Sequence, residues 1–447
     1  MSNVRSKSVI LILLCSAFSI VTGRWLDQSS GAGTSSYRAV YYGARCLIHH
    51  TDPYNPDEFS RIYVAESGAL PRDSARRPLF LRAVMVCVNL PTTLFLLVPL
   101  ALLPWGLSHV LWLALIAICL PIAAVLAYDL TAKHGSRLPL ILICFMMANC
   151  QVLFTVANTA GVAVGLCVIA VWCFMRQKLE WLGVFALAIS LALKPHDSGL
   201  VWLWLLVSGG VLRKRALQTA ILVAAIALPA VLVVAHSSPH WRTELAGNLA
   251  ATSAHGDISD PGPASNSRQG SADIIIDLQT ALSLLYDEPH FYNPTTYIAC
   301  GFLILVWVFS RLRALGEQSN RFAALACLAP ITMLISYHRP YDAKLLLLAI
   351  PAITMLGDEA ARRRKVALFT VALAVFFTSD LPLALQAMLT RAINVPALGS
   401  FGRTIFLPVL RPAPIALLLM AIVFVWIYSR RARVETPELI LTQRGLQ

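Results

Sequence analysis

The chain has 447 residues, of which 57% are hydrophobic and only 13% charged. A soluble globular protein carries about 25% charged residues and lipid makes every charge costly, so this composition excludes an ordinary soluble enzyme. The net charge of +13 does not indicate nucleic acid, because the basic residues cluster beside apolar segments, the distribution that fixes orientation in membrane proteins.

Taken in chain order, the first apolar run (8–23) follows Arg5 and Lys7. It reads as a retained signal anchor, because further apolar runs follow and Val21-Thr22-Gly23 is a poor small-x-small cleavage site. Further runs lie near 84–104, 107–128, 138–155, 159–175, 182–193, 199–212, 216–235, 295–312, 322–336, 343–357, 366–380 and 413–429, thirteen in all. Crossing a bilayer takes about 20 apolar residues, fewer where the membrane thins. The basic gaps are Lys133 to Arg137, Arg176 with Lys178, Arg213 to Arg215, Arg311 to Arg321, Arg362 to Lys365, and Arg430-Arg431. If all thirteen runs cross, most of these gaps fall outside. If 84–104 does not cross, every one falls on the cytoplasmic side, and that run is interrupted by Pro91, Pro99 and Pro104. The expected fold is therefore an all-α, polytopic transmembrane bundle of about 12 spans. In it 84–104 forms a re-entrant or interfacial hairpin and both termini are cytoplasmic. One membrane domain covers 1–433, with a short tail over 434–447.

This map puts three segments on the outer face. The first loop, 24–83, contains amphipathic stretches near 36–50 and 56–68. The second spans 237–292, with a mobile Gly/Pro/Ser/Asp-rich middle from Gly256 to Gly270 and a short helix over 272–286. The third, about 381–411, carries Arg391, Arg403 and Arg411. Nine of the ten cysteines lie in or beside apolar segments and read as small buried hydrophobes. No internal repeat is visible.

Four polar clusters fall on the outer side. Tyr41-Tyr42-Gly43-Ala44-Arg45 leads to the turn Asp52-Pro53-Tyr54-Asn55-Pro56, a structural loop or a turn offering a carboxylate. Asn149-Cys150-Gln151 and Asn158-Thr159-Ala160-Gly161 place amides inside apolar runs, where they bond neighbouring helices or touch substrate. Lys194-Pro195-His196-Asp197 combines a lysine, a histidine and an aspartate at a proline break. Such a lysine snorkels to the interface or binds a phosphate as a point charge. The run Ser336 to Lys344 concentrates acid, base and cationic side chains beside a span, as a solvated loop or as a phosphate or substrate site. There is no Walker loop, His-Glu-x-x-His, Cys-x-x-Cys pair or dinucleotide glycine fingerprint, which argues against an ATP-driven machine or a zinc protease. No metal ligands and no cofactor are assigned, and dependence on a divalent cation stays open.

The order of these clusters resembles the membrane glycosyltransferases of family 87, which have the GT-C architecture. The resemblance rests on Tyr41-Tyr42-Gly43-Ala44-Arg45 leading to Asp52-Pro53-Tyr54, on the Leu-Pro-rich run ending Pro99 to Pro104, on the amide turn at Asn158, on Lys194-Pro195 and on Tyr337-His338. It covers roughly residues 30–360. It implies transfer with inversion from a polyprenyl-phosphate sugar, often a mannose, to a lipid or glycan acceptor at the outer face of a bacterial inner membrane. A carboxylate in the first outer loop would deprotonate the acceptor, and cations would meet the leaving phosphate. On this reading Lys194, His196, His338, Arg339 and Lys344 attend the phosphate, while Tyr41, Tyr42 and Asn158 contact substrate. The chain departs from the family where an Asp-aromatic pair usually precedes the Tyr-Tyr. Here the stretch reads Ser35-Ser36-Tyr37-Arg38, and a serine is no resting anionic base. Asp52, in the Asp-Pro-Tyr turn close behind Tyr41-Tyr42, is the first substitute, with Asp27 just past the first span second, both ahead of Asp57 and Glu58. The alternatives are a silent relative that binds polyprenyl lipid, and a transporter or lipid flippase. A transporter would be expected to carry charges mid-span or a repeat, and here the charges stand at span ends. Lys194, His196, His338 and Arg339 are expected to line one cavity at one depth.

Overall fold

The computed structural model describes residues 2–30, 34–67, 77–131, 137–262, 275–313, 318–355, 361–392 and 400–434. Every regular element among them is helical. A bilayer interior offers no water to backbone N–H and C=O groups, and helices satisfy those groups within themselves.

The chain opens with α1 (Ser2–Ser30), followed by α2 (Ser35–Ile48), α3 (Pro56–Ser67), α4 (Arg77–Met85) and α5 (Pro91–Ala101). The central series is α6 (Trp105–Thr131), α7 (Leu138–Ala148), α8 (Gln151–Val156), α9 (Ala160–Arg176), α10 (Glu180–Leu193), α11 (Pro195–Ser208) and α12 (Gly210–Ser237). Then come α13 (Trp241–Thr252), α14 (Leu278–Leu282), α15 (Pro289–Arg313), α16 (Gln318–Ile335), a 3-10 helix Asp342–Leu348 and α17 (Ile350–Met355). The chain closes with α18 (Ala361–Phe377), α19 (Asp380–Ala392), α20 (Phe401–Leu410) and α21 (Pro412–Val434).

Among the described residues six helices are long and apolar enough to cross a membrane: α1, α6, the α7–α8 stretch, α12, α15 and α21. Counting the pair α18–α19, bent by 70°, as one span makes seven. The 27 residues of α6 rise about 40 Å, against a hydrocarbon core of about 30 Å. The helices differ in what they face. Only 17% of the α12 apolar window is buried, against 61% for α21. Ile221, Leu228 and Leu232 project outward from α12, as a lipid-facing helix requires, whereas Leu417, Met420, Phe424 and Tyr428 place α21 in the core.

Side-chain pairs fix the direction of each helix. Arg5 at the start of α1 pairs with Asp129 at the end of α6, and Arg176 at the end of α9 donates to the same carboxylate at 3.0 Å. Glu180 at the start of α10 pairs with Arg215 near the start of α12, and Arg311 late in α15 donates to the Ser208 carbonyl at 3.1 Å. Ser190 near the end of α10 donates to Ala163 near the start of α9, so these two helices are antiparallel. Arg363 and Arg430 both stand over Trp426, which brings the start of α18 to the end of α21. The basic sequences thus collect at one end of the bundle, and Lys194 and Asn158 lie at the other.

Several sequence expectations take shape here. The amphipathic stretches are α2 and α3. The run 84–104 is broken as its prolines demand: Pro91 opens α5, whose 11 residues are too few to cross, and α5 packs on α2. The run 343–357 becomes a 3-10 helix and a six-residue α-helix. The linker expected over Gly256 to Gly270 is described only to residue 262. That part is knitted around Asp260, whose carboxylate accepts from Gly256 N at 2.7 Å and Gly262 N at 2.8 Å. The rest of the linker lies outside the described residues. The helix expected over 272–286 shortens to α14, capped by Asp277. All ten cysteines are unpaired.

Candidate active site at one end of the bundle

Lys194 owes its position to the proline after it. Pro195 cannot continue α10, because it lacks the N–H and crowds the preceding turn, yet it suits the first position of a new helix. Lys194 therefore ends α10 and begins α11, in an extended conformation (φ −153°, ψ 78°) that throws its side chain off both axes. Its ammonium pairs with Asp342 and lies 3.5 Å from Asp197 Oδ2. It also stands 5.4 Å from the Tyr341 ring centroid.

His338 arrives from the loop after α16 and is fully buried. Its Nδ1 is 2.8 Å from the Ser336 carbonyl and its Nε2 is 3.2 Å from Asp197 Oδ1. The His196 ring lies 5.0 Å from the His338 ring at 69°. The Arg339 backbone N–H donates to Asp342 Oδ2 at 2.8 Å, while its guanidinium meets the Tyr337 hydroxyl and donates to the Ile258 carbonyl at 3.1 Å. The second loop is tied to the same centre, since Ile276 N donates to the His338 carbonyl at 3.0 Å. Next to it Asp277 caps α14, accepting from Thr280 N at 2.9 Å. Burial pushes the Asp277 carboxyl up to about 7, against the pull of Thr280, His338 and Arg411. The N-terminus of α5 abuts the break as well, with Thr93 Oγ1 donating to the Leu193 carbonyl at 2.9 Å.

Of the five residues expected at a phosphate, four converge here: Lys194, His196, His338 and Arg339. Lys344 does not. It points to the other side of the 3-10 helix, where its ammonium donates to the Asn149 carbonyl at 2.9 Å. The centre also holds carboxylates beyond the residues expected from the sequence, Asp197 and Asp342 around Lys194, with Asp277 within electrostatic reach of His338.

A second corner of the same end gathers the amide turn and the end of α1. Asn158 Nδ2 donates to Ser36 Oγ at 3.1 Å. Thr34 N donates to the Thr155 carbonyl at 2.7 Å, and Thr155 Oγ1 donates to the Gly23 carbonyl at 3.2 Å. A Cβ at Gly23 would come 2.7 Å from the Gln151 carbonyl oxygen, so glycine is what lets α1 and α8 approach. One turn further along α1, Asp27 pairs with Arg24 and lies within electrostatic reach of Arg38. Arg38 in turn stacks 4.5 Å over Trp105. Tyr37 is buried against Trp112, with ring centroids 5.2 Å apart and nearly parallel.

Tyr41 and Tyr42 belong to a third place, a cavity of about 420 Å³ that they line with Arg45, Glu66, Leu103 and Trp105. Tyr41 donates to the Leu103 carbonyl at 2.8 Å, and Arg45 pairs with Glu66. Lys194 and His338 are not part of this lining. Asp52 forms the turn its sequence suggests, its Oδ1 accepting from Tyr54 N at 2.8 Å. Its carboxyl also shares a hydrogen bond with Glu244, a partner some 190 residues away that sequence spacing could not signal. The Glu244 carboxyl is raised above the usual range, first by desolvation and then by Asp52.

Apolar helices with lipid-facing flanks, basic residues gathered at one end and a buried polar centre at the other, define an integral membrane protein. The chain belongs to glycosyltransferase family 87, whose sequence profile matches residues 88–336. That match takes in Lys194 and His196 and stops just short of His338. No curated protein and no solved structure matches the chain.

Proposed function

We propose that the protein moves a sugar from a polyprenyl-phosphate donor to a lipid or glycan acceptor, with inversion, at the outer face of a bacterial plasma membrane. In this reading the short helices cross together with the long ones in a GT-C-like bundle of twelve spans. The basic end is cytoplasmic, as are both termini. The observation that carries the proposal is the meeting of Lys194 and His196 with His338 and Arg339, about 140 residues apart in sequence, at the end opposite the basic clusters. A donor phosphate entering from the outer leaflet would compete with Asp342 for the Lys194 ammonium, and the Lys194–Asp342 pair is the resting state of that exchange.

The reaction breaks the bond between the anomeric carbon and the phosphate oxygen and forms one to the acceptor oxygen, with the acceptor proton passing to a carboxylate. Of the two candidate bases, Asp27 is favoured. It stands one turn past Gly23, whose carbonyl accepts from Thr155, and within electrostatic reach of Arg38, two residues after Ser36, so this turn of α1 is the nearest source of what Ser36 lacks. Asp52, hydrogen-bonded to Glu244, is the second. The replacement at Ser36 also favours one other reading, a relative that binds polyprenyl lipid without turning it over.

Purified protein incubated with labelled polyprenyl-phosphate sugars should consume a donor. Binding of the lipid with no loss of any donor would establish the silent reading instead. Orientation is checked with single cysteines at positions 364 and 265. The first should label only from the cytoplasm and the second only from outside, and labelling from one common side would overturn the twelve-span map.

A further inference from the structure

We propose that His196, Asp197 and His338 form a binding site for one divalent transition-metal ion, with Zn2+ the best match to the donor set. The inference rests on the donor site proposed above and says how that site obtains its positive charge.

The geometry comes first. One ring nitrogen from each histidine and one oxygen of Asp197 all lie within 4.8 Å of one another. Two ligands are adjacent in sequence at the start of α11, and the third is brought across from the loop after α16. Zinc holds imidazole and carboxylate ligands at about 2.0–2.2 Å. The remaining spread closes by drawing in His196, whose side chain is 41% exposed while Asp197 is 1% exposed. His196 is thus also the route by which an ion enters.

The second observation is what the buried atoms lack. Neither oxygen of Asp197 nor Nε2 of His338 has a hydrogen-bond partner, although all three are buried. The 3.2 Å approach of His338 Nε2 to Asp197 Oδ1 is an ionic contact without hydrogen-bond alignment. The other ring nitrogen of His338 faces the Ser336 carbonyl at 2.8 Å, and it must carry a proton to bond it. In the neutral ring Nε2 then presents its lone pair to a carboxylate oxygen, a repulsive arrangement unless a cation stands between them. Fixing one imidazole nitrogen on a backbone carbonyl is also how metal-ligating histidines are held in the right tautomer. A proton between Nε2 and Oδ1 would relieve this one contact. A metal ion relieves it and engages His196 as well, which is 3.8 Å from the same Oδ1.

Charge points the same way. Asp197 and Asp342 are both buried and Lys194 is the one ammonium between them, so this trio, counted apart from the histidines, carries one negative charge in excess. That is unsuited to a phosphate. Lys194 stays with Asp342 when a divalent ion takes Asp197, and the trio with its ion then carries one positive charge beside Arg339. Two imidazoles and one carboxylate suit zinc better than magnesium or calcium, and they leave positions open for phosphate oxygens.

The test uses the full-length protein in lipid nanodiscs, stripped with chelator and dialysed. ZnCl2 is titrated by calorimetry, bound metal is counted, and Co2+ is added as a spectroscopic probe. One ion per chain is expected, with His338→Gln and His196→Gln each weakening binding by at least about 10-fold at unchanged melting temperature. His255→Gln, in the separate cluster with Asp260 and Asp287, should leave binding unchanged. No saturable binding in the wild type, or binding undisturbed by both ligand variants, overturns the site and leaves a proton between His338 and Asp197. Full donor turnover by the stripped protein also overturns it while leaving the transferase intact. Stoichiometric metal without turnover of any polyprenyl-phosphate sugar does the reverse.

Discussion

The two ends of the bundle use the same kinds of charged residue in opposite ways. At the basic end one carboxylate, Asp129, meets Arg5, accepts from Arg176 at 3.0 Å and from Trp172 at 2.9 Å. At the other end two buried carboxylates share one ammonium, two histidines crowd against them, and both oxygens of Asp197 lack a hydrogen bond. A partly buried carboxylate with three donors is finished and contributes only to folding. A buried carboxylate left short of donors costs stability unless something else binds to it, and this deficit is what points to the proposed site.

That contrast breaks most sharply at the proposed bases. Asp27→Asn and Asp52→Asn, made separately, should leave melting temperature unchanged, and one of them should lower turnover by about 10²–10⁴-fold. If both keep full turnover, neither residue is the base. The next effect is on folding. Lys194→Met strands Asp342 and Asp197 without their cation, which should cost about 3–5 kcal/mol, seen as a large fall in melting temperature together with weaker donor binding. A variant as stable as the wild type would show that the pair is not buried in earnest.

Asp277 sharpens the comparison through pH. Its folded-state carboxyl holds a proton up to about pH 7, whereas the unfolded chain releases it near the ordinary carboxylate value of 3.8. The folded state therefore binds the extra proton between these values. Stability from this group is present below about pH 4 and is lost as pH rises through 7, an effect of the order of a few kcal/mol. Asp277→Asn keeps the cap on Thr280 and should flatten the decline, so its advantage over wild type should be larger at pH 8 than at pH 5. Equal differences at the two pH values would place the titration elsewhere. The smallest effect belongs to the finished end. Arg176→Gln leaves Asp129 with Arg5 and Trp172 and should cost only about 1 kcal/mol, with donor turnover unaffected. A loss of turnover there would erase the division of labour between the ends.

Much of this arrangement was legible in the sequence. The lipid-facing helices announce themselves by uninterrupted apolar runs, α2 and α3 by their amphipathic pattern, and the break at Lys194 by the proline behind it. Grouping His338 with Lys194 needed only the expectation that the basic gaps share one side. What the sequence withheld are pairings across the fold. Asp342 binding Lys194 and Glu244 binding Asp52 are set by packing between distant helices, and no local period encodes them. Closeness in sequence to His338 groups Lys344 with the phosphate ligands. The 3-10 helix explains why it is not among them. With about three residues per turn, positions two apart point to different sides, so Asp342 faces Lys194 while Lys344 faces Asn149.

Because Lys194 is at once the last residue of α10 and the entry to α11, its direction is set by the length of α10 as much as by its own identity. One residue added within α10 would turn everything beyond it by about 100° and advance it by about 1.5 Å. The ammonium would then swing away from Asp342 even though the lysine itself was retained. Natural variation in this stretch should therefore proceed by exchange of one apolar side chain for another and hardly ever by a change in residue count.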